Sequence, residues 1–196
     1  CPLAMILGIS ALREGNRIDW ISPGVIHFGE EHNRPSAHSK RVNALEDFFT
    51  SAAIPHTVPE DMLRALWYKF MINVGINQAS AVLKAPYGVF VENQDARDAM
   101  EIGMREVLSI ARKRGIDLGE KDLAAWRETL KTLDPQGRTS MLQDILAGRS
   151  TEVDIFAGEV IRQARALGLA APVNELYRAL IRAQGAMNEL PPKMLQ

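Results

Sequence analysis

The sequence predicts a mainly α-helical protein that is preceded by the end of an α/β layer. Residues 3–57 contain apolar and alternating runs that are typical of strands, with one helical pattern among them. The chain from Pro59 onward instead carries apolar residues at helical spacing. Several of these helical patterns end in basic residues followed by a glycine, as at Gly115. This ending is typical of helix C-termini. We therefore expect two domains, residues 1–58 and residues 59–196.

The first domain is expected to contain short strands and a single helix. Its predicted elements are strands at Leu3 to Leu12, Arg17 to Ile21 and Val25 to Phe28, a turn at Ser22-Pro23-Gly24, a helix at Ser39 to Ala53 and a strand at Ile54 to Val58. So few elements cannot cover both faces of a sheet. We therefore interpret this region as the tail of an α/β domain whose other elements lie upstream of Cys1.

The second domain is expected to be helical throughout. Its predicted helices span Pro59 to Leu83, Asp95 to Arg114, Glu120 to Leu133, Thr151 to Leu167 and Asn174 to Met187. The segment from Lys84 to Gly88, with a proline at its centre, breaks the first helix. Ser140 to Gln143 and Thr151 to Asp154 both match the capping-box pattern of a helix N-terminus. A further helix start is therefore predicted at Ser140, and the start at Thr151 is supported.

Three polar residues recur every fourth position within the apolar stretch from Trp67 to Ala81. These residues are Lys69, Asn73 and Asn77, and on a helix their spacing places them on one face. We call them the polar stripe. A solvent-exposed stripe is the simpler interpretation, but the flanking apolar residues leave little surface for it. Burying an ammonium or an amide without partners costs several kcal/mol, so the stripe predicts either an internal network or the lining of a cleft.

Such a stripe has a clear use in catalysis. The Lys69 ammonium can hydrogen-bond a substrate carbonyl and deliver a proton as negative charge builds on its oxygen. Amides one and two turns further on can fix the rest of the substrate. Ser140 at a helix N-terminus could bind a carboxylate, and Glu152 could be the counter-charge of Lys69. In the simpler interpretation, Ser140 is only a cap and Glu152 only a first-turn acid.

Composition excludes several classes of function. The formal net charge is -1 without a cluster of basic residues, so neither nucleic acid nor an anionic membrane is expected as a partner. The single cysteine, Cys1, excludes an intrachain disulfide, which suits a reducing, cytoplasmic location, and no apolar run is long enough to cross a bilayer. No metal site is predicted, because the histidines match no known ligand spacing; they are His27, His32, His38 and His56.

The order of these motifs resembles one enzyme family. W-x-K-x3-N-x3-N on one helix, a Pro-x-Gly break, S-M-L-Q-D and then T-E-V-D are similar to ketopantoate reductase (2-dehydropantoate 2-reductase) over essentially the whole chain. That family reduces 2-ketopantoate to pantoate with NADPH, in pantothenate and coenzyme A biosynthesis. The resemblance implies the C-terminal helical domain of a 6-phosphogluconate-dehydrogenase-like reductase. The last strands and a helix of a truncated Rossmann domain would precede it.

The resemblance also implies roles for individual residues. Lys69 would donate the proton to the carbinol oxygen. Asn73 and Asn77 would contact the substrate, and Ser140 would bind its carboxylate. Glu152 would lie where the substrate meets the nicotinamide ribose.

Most of the cofactor site is expected upstream of Cys1. Ala11 would touch NADPH from the Rossmann side, but no G-x-G-x-x-G turn occurs in the sequence. The residues that distinguish NADPH from NADH would also lie upstream. We therefore expect the chain to be a C-terminal fragment that by itself is inactive and lacks useful NADPH affinity.

Two positions depart from the family pattern and keep other interpretations open. Tyr87, in the Pro-x-Gly break, and Gly137, three residues before Ser140, stand where the family often has asparagine. Tyr87 remains a candidate substrate contact, and a different 2-keto acid is an alternative substrate. A further alternative is a non-catalytic helical module that mediates dimerisation. In either case we expect a homodimer that associates through the helical domain.

Overall fold

The computed structural model describes residues 2–14 and 16–187, and the chain divides into two compact units between Leu66 and Trp67. The mainly helical fold with a small preceding sheet, predicted from the sequence, is confirmed. The domain boundary predicted between residues 58 and 59 stays a prediction.

The first unit is built on a three-stranded sheet with the order β1-β2-β3. Strands β1 (Leu3–Glu14) and β2 (Arg17–Gly29) form an antiparallel hairpin. Helix α1 (Lys40–Ser51) then leads to β3 (His56–Thr57), which pairs in parallel with the end of β2. This strand–helix–strand connection is the unit from which parallel α/β layers are made.

The predicted turn at Ser22-Pro23-Gly24 is wrong, because β2 runs through it without a break. Pro23 pairs with Ile9 of β1, and β3 does not reach this part of β2. A proline is tolerated where no second neighbouring strand needs its N–H. Gly8 and Gly24 lie at the same level of the hairpin, and both have a φ of +70°, a conformation that glycine adopts without strain.

The second unit is helical in its described part. Its elements are α2 (Met62–Ile72, which begins in the first unit), the π-helical turn π1 (Asn73–Asn77), α3 (Gln78–Leu83), α4 (Tyr87–Glu92), α5 (Gln94–Lys113), α6 (Glu120–Thr132), α7 (Ser140–Leu146), the π-helical turn π2 (Asp154–Gly158), α8 (Glu159–Ala166) and α9 (Pro172–Met187). No helix in the described ranges has both the length and the apolar character to span a membrane.

Two details of the first predicted helix are wrong. Its start lies at Met62 rather than Pro59, because the Asp61 carboxylate accepts the main-chain N–H of Arg64 and closes the helix there. It is also not a single α-helix as far as Leu83, since π1 interrupts it.

Helix α5 is the centre of the helical unit. It contacts α3, α4, α8, α9 and π1, and its inward face is fully buried. Glu101 is the exception to this apolar face, and its carboxylate accepts hydrogen bonds from Arg105 and Arg127. Burial raises the pKa of Glu101, but the Arg127 and Arg105 guanidiniums outweigh burial and hold the pKa below its usual value. The core around α5 therefore contains an ionised carboxylate that is fully paired.

Candidate functional site

The polar stripe crosses from an α-helix into a π-helical turn. Lys69 lies in the last turn of α2, whereas Asn73 and Asn77 are the first and last residues of π1. Gly75, at the middle of π1, has no side chain, and a Cβ placed there would lie 2.5 Å from Cγ of Met104. The Met104 side chain of α5 therefore packs directly onto the main chain of π1. Single π-helical turns within α-helices are frequent at functional sites.

Asn77 is nearly buried, and its carboxamide has no hydrogen-bond partner in the part of the chain that the structure describes. Its exposed fraction is 8%, and within residues 2–14 and 16–187 no group hydrogen-bonds to its carboxamide. The half-buried Asn73 carboxamide likewise has no partner in that part of the chain. Neither carboxamide is among the buried unpaired atoms of the described chain, so the polar atoms of both reach the surface of the helical unit. Both amides are therefore accessible to water or to a ligand.

Lys69 lies one turn before Asn73 in a half-buried position. Burial lowers the pKa of its ammonium group, because water no longer stabilises the charge fully. The rings of Trp67 and Phe70 on the same helix pack edge to face with centroids 5.8 Å apart. An ammonium group in such surroundings gives up its proton more readily than an exposed one, which is what a general acid requires.

Ser140 is the first residue of α7 and is exposed, but it is not the cap that the sequence pattern predicted. Thr139 is the cap, and its Oγ1 accepts the main-chain N–H of Leu142 at 3.1 Å. Thr139 is only 2% exposed. The buried Thr139 therefore closes the helix start, and the exposed Ser140 keeps its hydroxyl available.

A relay of hydroxyl groups ties α7 to π1. Oγ1 of Thr139 lies 2.6 Å from Oγ of Ser80, and the Ser80 hydroxyl donates to the main-chain oxygen of Asn77 at 3.1 Å. Because the Ser80 proton is used on Asn77, Thr139 must donate to Ser80. The relay brings the start of α7, and with it Ser140, to the polar stripe.

Glu152 precedes π2, and its side chain is exposed. Its main-chain oxygen accepts the N–H of Ile155 at 2.9 Å, but the carboxylate pairs with no side chain in the described part of the chain, Lys69 included. The expected ion pair with Lys69 is thus not formed in this structure. An exposed carboxylate is well solvated and gains little from a distant partner.

The second predicted capping box is also wrong. Instead of closing the helix start at Thr151, Asp154 accepts hydrogen bonds from Arg178 and Arg182 of α9, each at 2.7 Å. The Arg182 and Arg178 guanidiniums lower the pKa of the Asp154 carboxyl group, and two charged donors outweigh a single main-chain N–H. π2 is thereby tied to α9, and it also contacts π1.

Tyr87 and Gly137, the two departures from the family pattern, lie directly against each other. The Tyr87 N–H donates to the oxygen of Gly137 at 3.0 Å. A Cβ at position 137 would lie 2.9 Å from the Tyr87 ring and 2.9 Å from the main-chain oxygen of Asp134. Tyr87 is half-buried, and burial raises the pKa of its phenol. The phenol is therefore a neutral donor at physiological pH.

The remaining predictions concern cofactor and metal. Ala11 lies in β1, and its side chain falls outside the described part of the structure. Glu152 is exposed, and its expected contact with the nicotinamide ribose stays a prediction. No group of three or more metal-binding side chains occurs among the described residues.

Sequence reasoning missed three polar residues behind the site. They are Gln78, Ser80 and Thr139, all buried. The first two are polar positions inside the apolar run N-Q-A-S-A-V-L, and that contrast is a signal for buried hydrogen bonding. Thr139 was hidden by the neighbouring Ser140, because both residue types cap helices.

Comparison with known sequences gives one consistent result. The family described as "Ketopantoate reductase PanE/ApbA C terminal" matches residues 61–185. A 2-dehydropantoate 2-reductase from Pyrococcus abyssi is 32% identical over 171 residues, which cover 87% of this chain and 55% of that protein. The chain thus spans little more than half the length of that relative.

Comparison with solved structures shows the same fold. A dimeric ketopantoate reductase from Staphylococcus aureus superimposes with a TM-score of 0.81 at 19% identity, over 95% of this chain and 62% of that one. A D-mandelate dehydrogenase in a ternary structure with NADH and anilino(oxo)acetate gives a TM-score of 0.81 at 17% identity, over 93% and 60%. At these identities the likeness concerns the fold alone.

The environment of Lys69 predicts a measurable titration. Its amine should titrate below the ordinary value of 10.5. At pH values between the lowered pKa of Lys69 in the folded protein and its ordinary pKa, the unfolded chain binds more protons than the folded chain. The contribution of Lys69 to the free energy of unfolding should therefore rise with pH in this range. NMR of the dimethylated lysines in the intact protein would measure this. Lys69→Met assigns the signal and Lys84→Met, at an exposed lysine, is the control. A Lys69 signal at or above 10.5 would contradict the prediction.

Proposed function

The chain belongs to the ketopantoate reductase family, and on that premise we propose that the full-length protein reduces 2-dehydropantoate to pantoate with NADPH, in pantothenate and coenzyme A biosynthesis. The observation that carries this proposal is the Asn77 carboxamide, nearly buried and unpaired within the described part of the chain, on the same stripe as Lys69. The polar atoms of this amide reach the surface of the helical unit, where a ligand can complete their hydrogen bonds. The arrangement is suited to a small ligand with several oxygen atoms, such as a 2-keto acid.

The proposed roles follow from the chemistry of each group. The Lys69 ammonium hydrogen-bonds the C2 carbonyl oxygen and gives it a proton as the carbonyl becomes a hydroxyl. Its lowered pKa favours this transfer, since the amine that remains is less strongly basic. The Asn73 and Asn77 carboxamides hold the substrate, and the exposed Ser140 hydroxyl binds its carboxylate. NADPH, when bound, supplies the hydride that C2 receives.

On the cofactor side we assign Glu152 and Ala11. The Glu152 carboxylate is exposed at the start of π2 and can accept hydrogen bonds from the nicotinamide ribose. Ala11 in β1 would contact the cofactor from the α/β side.

A different 2-keto acid is the second candidate substrate, and the contact between Tyr87 and Gly137 supports it. The Tyr87 ring packs against Gly137, whereas asparagines at both positions would each need space for a side chain. The pair offers one phenol instead of two carboxamides, so a substrate with fewer polar groups at that end is favoured. Exchanging the hydrogen-bonding groups of a site changes substrate choice strongly.

We also propose that the full-length protein is a homodimer that associates through the helical unit. Helix α9 has a row of exposed apolar side chains at helical spacing, with exposed fractions of 55% at Leu176, 39% at Leu180 and 48% at Met187. Such a row is typical of a surface that a partner covers.

Substitution of Lys69 tests the main proposal. In the intact protein, Lys69→Ala should lower kcat for 2-dehydropantoate by about 10²–10⁴-fold while the fold is retained, because the general acid is lost. Lys84→Ala, at an exposed lysine, is the matched control and should leave kcat unchanged. If Lys69→Ala lowers stability and the wild-type protein reduces no 2-keto acid, the stripe is structural and the helical unit is a non-catalytic module.

Variants of Tyr87 distinguish the two candidate substrates. If the ring selects a less polar 2-keto acid, Tyr87→Asn should raise kcat/KM for 2-dehydropantoate relative to that substrate by about tenfold or more. Tyr87→Phe keeps the ring against Gly137 and isolates the hydroxyl group. A panel of 2-keto acids assayed with NADPH and with NADH gives the ratios. An unchanged ratio in both variants would remove Tyr87 from the site.

Sedimentation analysis tests the association. The intact protein should sediment as a dimer, and Leu176→Glu should shift it toward monomer because a charge in an apolar interface is costly. Phe48→Glu changes an equally exposed apolar residue of α1 and should leave the dimer intact. A monomeric wild-type protein would contradict the proposal.

A further inference from the structure

Gln78 is a fully buried amide at the junction between π1 and α3, with an exposed fraction of 0%. Its Nε2 donates to the main-chain oxygen of Val74, within π1, at 2.6 Å. The same nitrogen donates to Oδ1 of Asn174 in α9 at 2.9 Å. Gln78 therefore links the main chain of π1 to another helix, although it does not belong to the polar stripe.

The orientation of the Gln78 amide is determined by a carboxylate further along the network. Glu106 of α5 accepts a hydrogen bond from Nδ2 of Asn174 at 2.6 Å as well as from main-chain N–H groups at the start of α9. The Gly103 carbonyl accepts from the same Nδ2 at 3.3 Å. Because both partners can only accept, Asn174 must turn its oxygen toward Gln78. Gln78 therefore faces two acceptors, the main-chain oxygen of Val74 and Oδ1 of Asn174. Only its NH₂ group can point at them.

Gln78 satisfies two buried acceptors but leaves one of its own atoms unpaired among the described residues. Oε1 of Gln78 is buried and has no hydrogen-bond partner in the described part of the chain, and an unpaired acceptor of this kind costs free energy. An apolar side chain of the same length would avoid that cost. It could not donate a hydrogen bond to the main-chain oxygen of Val74. That oxygen lies in the π-helical turn, where the wider hydrogen-bonding pattern leaves main-chain carbonyls in need of other donors.

We propose that Gln78 is a positioning residue. Held in one orientation by Asn174 and Glu106, it keeps π1 in its widened form and thereby directs the Asn77 carboxamide toward the substrate. The identity of that substrate rests on the proposed function, whereas the effect on the π1 main chain does not.

The test is Gln78→Met in the intact protein, which keeps the length of the side chain and removes its hydrogen bonds. We expect kcat/KM for the 2-keto acid to fall about ten- to a hundredfold, since small displacements of substrate-binding groups have effects of this size. The KM for NADPH should not change. A crystal structure of the variant should show a displaced main chain at residues 74–78.

Gln163→Met is the matched control. Gln163 of α8 also donates through Nε2, to Glu159 at 2.7 Å, and its Oε1 is also buried without a partner among the described residues, but Glu159 lies in the same helix rather than in π1. Its substitution should change neither the kinetics nor residues 74–78. If Gln78→Met does not fold, Glu106→Gln keeps the size of that side chain and releases the orientation of Asn174. It should lower kcat/KM in the same direction.

Several results would overturn the proposal. An unchanged kcat/KM in Gln78→Met, or a loss equal to that of Gln163→Met, would show that Gln78 does not act on the substrate. An unchanged main chain at residues 74–78 would show that it does not hold π1. If the wild-type protein neither binds nor reduces any 2-keto acid, the proposed function fails. The crystal structure of Gln78→Met then decides the inference about π1 by itself.

Discussion

The packing of Met104 onto Gly75 is the contact on which the site depends. Only a residue without a side chain allows α5 to approach the main chain of π1 so closely. The widened turn changes the direction in which Asn73 and Asn77 project, and both retain unpaired carboxamides within the described part of the chain. A regular α-helix would bury the same sequence with a different set of polar contacts. The geometry of the site is therefore a consequence of core packing.

Much of this arrangement follows from local sequence, and the exceptions have a common physical cause. The spacing of Lys69, Asn73 and Asn77 indicated a shared face because that spacing is a local property of helices. Met104, which packs on the π-helical turn, lies on another helix, so no pattern around residue 75 reveals that contact. The contact between Tyr87 and Gly137 is equally non-local.

The errors at helix starts show where local patterns fail. Thr139 and Ser140 are both good caps by residue type, and burial against Ser80 decides between them. Asp154 matches a capping box, but two arginines of α9 are stronger partners than a main-chain N–H. In both cases a tertiary contact overrides a local preference. Both helices are expected, but the group that closes each start differs, and the second helix begins with π2 at Asp154 rather than at Thr151.

The helical unit has two layers of polar groups, one with hydrogen-bond partners and one without partners in the described chain. Behind π1, Asn174, Glu106 and Thr139 have hydrogen-bond partners that fix their orientation. In π1 itself the Asn77 carboxamide has none in the described chain. A site that is to bind a polar ligand must leave its groups unpaired, and it can do so without collapse only if other bonds hold the main chain in place. The buried network is therefore the condition under which an unpaired amide can persist beside Lys69.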